Sequence, residues 1–89
     1  MTIKEFIEKN NLTFEPGQRN NDSLVLAGWL CYIGKGGVDI DDILEELEVS
    51  ISNYNSSVEA EFERLFWYAL ANDYGAAWES DHYKATYNY

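Results

Sequence analysis

Between Ser23 and Ile33 the chain carries Leu24, Val25, Leu26, Ala27, Trp29, Leu30, Tyr32 and Ile33, which leaves almost no polar side on a helix. A surface helix keeps one apolar stripe, whereas a helix apolar all round has to be enclosed by its neighbours. The segment therefore predicts a central helix with the rest of the fold wrapped around it. Gly28 inside it costs about 1 kcal/mol relative to alanine, which marks a close approach of another helix. Pro16-Gly17 upstream is a turn signal, proline presetting φ at the second position and glycine accepting positive φ at the third. Asp22 or Ser23 is the expected N-cap, and Gly34, Gly36 and Gly37 break the helix at its other end.

Three further helices follow from caps and spacing. Thr2-Ile3-Lys4-Glu5 is a capping box, with Ile3, Phe6 and Ile7 on one face and Asn10-Asn11 as the stop. Leu12 to Phe14 reads as an extended linker whose Leu12 and Phe14 dock on the core. Asp39 is the expected cap of the third helix. Asp41 and Asp42 complement its dipole, and Val38 and Ile43 stand at staple spacing. Ile40, Ile43, Leu44 and Leu47 supply its buried face. Ile51 and Tyr54 in the following turn-rich segment are expected to pack inward. Ser56-Ser57-Val58-Glu59 reads as a second capping box, followed by the stripe Val58, Phe62, Leu65, Phe66, Ala69 and Leu70, with Gly75 as the residue past the end. The prediction is an all-α fold, a compact orthogonal bundle of about four helices (roughly 2–9, 23–33, 40–48 and 57–73). Residues 1–75 form a single helical domain, and residues 76–89 are an aromatic tail, packed on it or linker-like.

Eighty-nine residues support one core at most. A hydrophobic fraction of 46% argues for a folded chain, because disorder pairs high charge with low hydrophobicity. The net charge of −10, with only Lys4, Lys9, Arg19, Lys35, Arg64 and Lys84 as cations, opposes direct nucleic-acid binding, since each phosphate contact needs a cation. A single cysteine, Cys31, excludes an intramolecular disulfide and is expected to be an inert buried thiol. No secretory signal is evident, and no apolar run approaches the ~20 residues of a membrane span, so a cytoplasmic protein is expected.

Motifs for chemistry are sparse. The glycine-rich Gly34-Lys35-Gly36-Gly37 lacks the lysine followed by Ser or Thr of a phosphate loop, and acidic Asp39 would repel phosphate at the next helix. It reads as a connector. Asp39, Asp41, Asp42, Glu45, Glu46 and Glu48 lack the alternating oxygens and central glycine of a calcium loop. They read as a solvated helix face, or as a face for a basic partner. His82 has no Cys or His ligand nearby and reads as a tail surface residue. The tail aromatics Trp78, Tyr83, Tyr87 and Tyr89 could stack bases, but Lys84 is their one cation. No GxSxG, HExxH or paired-carboxylate motif occurs. No metal or cofactor is implied, and no enzymatic activity is expected.

The stretch Phe14 to Leu47 has a further pattern. Pro16, Gly17, Arg19 and Asn20, then Ala27 in a helix, then Gly37-Val38-Asp39 restarting the chain, resemble the small helical domain that follows the catalytic part of many phage and plasmid primases. The likeness spans roughly residues 14–71. It singles out Arg19, Asn20 and Asn21, and Lys35 joins them as a candidate interaction residue. On the structural reading, the asparagines cap the turn and Arg19 pairs with Asp22 or a helix C-terminus. On the functional reading, Arg19, Lys35 and Lys9 form a basic spot. The resemblance implies an accessory or docking role in a replication protein, between a priming domain and a helicase-type ATPase. The chain departs from the pattern in its acidity and in carrying no priming domain. From a different class comes an acidic phage- or plasmid-type inhibitor whose carboxylates imitate phosphates in a basic cleft. Such a mimic would align Asp39, Asp41, Asp42, Glu45, Glu46 and Glu48 with Glu59 and Glu63. A third reading is a protein-interaction domain that uses exposed Trp67, Trp78 and the tyrosines.

Overall fold

A computed structural model describes residues 2–34 and 39–72, which form four helices and, among the described residues, no strand. These are α1 (Ile3–Lys9), α2 (Arg19–Gly34), α3 (Ile40–Ser50) and α4 (Ser56–Ala71). The all-α bundle expected from the sequence is the fold observed. α2 packs along α4, and α1 packs on α3. Burial runs unbroken along α2 from Asp22 to Cys31 apart from the half-buried Leu24, and it includes Gly28. Such a run covers every side of a helix, as expected for a central element. The aromatic tail, Gly75, Val38 and Lys35 lie outside the described residues.

α1 begins with the expected capping box. The Thr2 amide donates to Glu5 Oε1 at 2.9 Å, and the Glu5 amide donates to Thr2 Oγ1 at 3.1 Å. The bond from the Thr2 amide, and after it the Thr2 hydroxyl, hold the Glu5 carboxyl below its ordinary range. The helix closes with a Schellman motif. Asn11 sits at φ +55°, its amide donates to the Glu8 carbonyl, and the Leu12 amide reaches back to the Ile7 carbonyl at 3.0 Å. Leu12 and Ile7, the apolar pair that accompanies this motif, are both buried.

The segment that follows departs from the expected extended linker. Leu12 and Phe14 do enter the core, but Phe14 adopts φ +56° with its ring fully buried. A left-handed backbone is unfavourable for a bulky residue, so something has to hold it. The Phe14 and Thr13 amides both donate to Asp22 Oδ2, at 3.0 and 2.9 Å, and the Phe14 carbonyl accepts from Arg19 Nε at 3.2 Å. Both polar groups of the Phe14 backbone are thus gripped by side chains from the first turn of α2.

That grip explains a second correction. α2 opens at Arg19, earlier than the expected start at Ser23, and neither Asp22 nor Ser23 caps it. Glu15 to Gln18 form the expected turn: the Gln18 amide donates to the Glu15 carbonyl at 2.8 Å and Gly17 takes φ +92°. The Gln18 carbonyl then accepts the first helical bond, from the Asp22 amide. Arg19 and Asp22, three apart, share a face of that first turn. A helix starting at Ser23 would lose this placement.

α3 is capped by Asp39, whose Oδ1 accepts from the Asp41 amide at 2.9 Å, and it runs two residues past the expected end. The cap of α4 is Asn55 rather than Ser56, with Asn55 Oδ1 accepting from the Val58 amide at 2.9 Å. α4 ends at Asn72, whose backbone and side-chain amides both donate to the Tyr68 carbonyl. Asn10 ends α1 by the same double donation to Phe6.

The core gathers Phe6, Phe14, Leu26, Leu47, Val58, Phe62 and Phe66, all buried. Phe6 stacks on Trp29 with ring centroids 4.3 Å apart and planes within 10°, which joins α1 to α2. Ile51 and Tyr54 pack against this core as expected. Cys31 is buried and unbridged. Ser23 Oγ and Trp29 Nε1 are buried without a hydrogen-bond partner.

Two outcomes follow. Asp22→Ala, which strands the buried Phe14 amide, should lower unfolding free energy by about 2–3 kcal/mol in urea titration. Ser23→Ala removes an unpaired hydroxyl and should be neutral or slightly stabilising in the same assay. Equal losses for both would contradict the clamp.

Candidate functional site

Two surfaces stood out in the sequence, the Arg19 turn and the acidic third helix, and the structure treats them differently. Arg19 is half-buried, and its Nε is committed to the Phe14 carbonyl rather than to Asp22 or a helix end. Asn20 is exposed on the first turn of α2 and does not cap the turn. Asn21 donates from Nδ2 to Asp22 Oδ1 at 3.4 Å, which steadies the clamp carboxylate. Lys9 is exposed at the end of α1, and the basic spot imagined with it and Lys35 cannot be drawn from the described residues. The turn from Pro16 to Asn21 is a structural joint between the α1–α2 connection and α2.

Asp39, Asp41, Asp42, Glu45, Glu46 and Glu48 are all exposed. Helical spacing sorts those within α3 into two stripes, Asp41–Glu45–Glu48 and Asp42–Glu46, the second continued by Val49. Val49 is 81% exposed, the most open of the large apolar side chains among the described residues. No Lys or Arg interrupts α3. The placement is unfavourable twice over. Asp41 with Glu45 and Asp42 with Glu46 are like charges one turn apart. Glu46 and Glu48 also crowd the C-terminal half of α3, where the dipole disfavours anions.

Tyr54 links this face to α4. Its hydroxyl donates to Glu59 Oε2 at 2.6 Å, and its side chain is half-buried. Desolvation first, then the Glu59 hydrogen bond and the charges of Glu59, Glu48 and Glu63, push the phenol well above its ordinary pKa. One tyrosine is thus bonded to a carboxylate in the first turn of α4 and feels the charge of another at the end of α3. Glu59 and Glu63, one turn apart, continue towards half-exposed Trp67, whose indole meets Phe66 edge-on at 5.4 Å. The one cation of α4, Arg64, turns to Glu61 at 3.8 Å, three residues before it. The acids are thus only partly united: Glu48, Glu59 and Glu63 all act on the Tyr54 phenol, while Asp42 and Glu46 lie on the other stripe of α3.

Sequence reasoning did not single out Tyr54. With the cap placed at Asn55, Tyr54 is the residue before the cap and Glu59 the fourth helical residue, the two positions a staple joins. Placing the cap at Ser56 hid that register. Among the described residues, no group of three His, Cys, Asp or Glu side chains is gathered to hold a metal ion, and no helix is long and apolar enough to cross a membrane. No protein-family model, characterised protein or solved structure matches the chain.

The neutral phenol is the form that donates to Glu59, so a raised folded-state pKa gives stability that is complete below pH ~10 and is lost as pH rises beyond it. Tyr54→Phe should be destabilised by about 0.5–1 kcal/mol at neutral pH. Its deficit against the parent chain should shrink above pH ~10, measured by urea unfolding at both pH values. A deficit independent of pH would contradict the pairing. Screening the like charges should also raise the melting temperature by several degrees between low salt and about 0.3 M NaCl. A fall would mean that attractive pairs dominate the surface.

Proposed function

We propose that this domain is a non-catalytic docking module of a primase-type DNA replication assembly, and that it engages a basic surface of a protein partner through the acidic face of α3 and α4. The observation that carries the reading is the uninterrupted acidic run of α3, whose charges oppose its own stability, beside the Tyr54–Glu59 hydrogen bond that joins the α3–α4 connection to α4. Folded domains break local charge rules chiefly where function requires it. A field of one sign speeds encounter with an oppositely charged partner and rejects nucleic acid. The replication context comes from the likeness of residues 14–71 to the helical domain of phage and plasmid primases. The inward commitment of Arg19 fits a docking role better than a DNA-binding one.

A second reading uses the same face: an acidic inhibitor that occupies the DNA cleft of a host or phage DNA-handling protein. It draws on the stripes Asp41–Glu45–Glu48 and Glu59–Glu63, which repeat carboxylates one helical turn apart. Either role is exercised in the cytoplasm.

The test is a binding series with the helicase-type ATPase domain of a mobile-element primase protein, with a basic-cleft nuclease, and with labelled single- and double-stranded DNA. The docking reading expects micromolar binding to the ATPase domain, weakened at least tenfold by Glu45→Lys/Glu48→Lys/Glu63→Lys and by salt. Binding to the nuclease with displacement of its DNA would favour the inhibitor reading instead. Micromolar binding of DNA itself, lost in Arg19→Glu, would overturn both.

A further inference from the structure

No further inference is drawn: the strongest candidate, the groove of about 330 Å³ between the α1–α2 and α3–α4 connections, floored by Ile7, Leu12 and Ile51 and edged by Glu15, Ser52 and Asn53, has no buried polar group aimed into it, and nothing in the structure shows what covers it.

Discussion

Two backbone amides, those of Thr13 and Phe14, converge on one carboxylate oxygen of Asp22, and the α1–α2 connection depends on that convergence. Asp22 is itself almost wholly buried. A buried carboxylate is tolerable only when hydrogen bonds replace its lost water, and buried amides are tolerable only when they find acceptors. Each side of the pairing therefore satisfies the other. Arg19 completes it by taking the Phe14 carbonyl, so a bulky residue in a left-handed backbone is held at both ends. The reward is packing: Phe14 in this conformation delivers a whole aromatic ring to the core.

From that joint the rest of the fold follows. α2 must begin at Arg19 to carry both gripping side chains, and so it enters the bundle with Asp22 and Ser23 already beneath the surface. Its apolar body then meets α4 along its length, while Phe6 on Trp29 ties α1 to the same helix. Interior positions are thus spent on rings and aliphatic side chains, and the charged residues are displaced outward. Most of that charge is negative, and α3 carries an uninterrupted share of it. The acidic face is what remains when the core and the clamp have taken the residues they need.

What the sequence made legible was the periodic and the local. The all-round apolarity of Ser23 to Ile33, the Thr2–Glu5 box, the Asp39 cap and the Pro16-Gly17 turn each depend on neighbours within one or two helical turns. What escaped was longer in range or set by competition. Asp22 looked like a cap because Asp before an apolar run usually is one; its true partners lie eight and nine residues back, and nothing local announces them. Asn55, Ser56 and Ser57 are all good caps, and choosing between them decided whether the Tyr54–Glu59 pair was visible. A left-handed Phe14 runs against propensity and could not be read from its type. The acidic face was legible as composition, but its junction at Tyr54 was not, because it joins two helices across a loop.

The Arg19 turn is an internal clamp, which leaves the acidic surface as the proposed site of recognition. Native-state hydrogen exchange of the Phe14 amide, followed by NMR, tests this most directly. If the clamp is integral, that amide exchanges only through global unfolding, as slowly as the core amides of α2, and its protection collapses in Asp22→Ala. Rapid exchange of Phe14 under native conditions, with α2 still protected, would contradict the account: the turn would open freely, and Arg19 would be released to act at the surface.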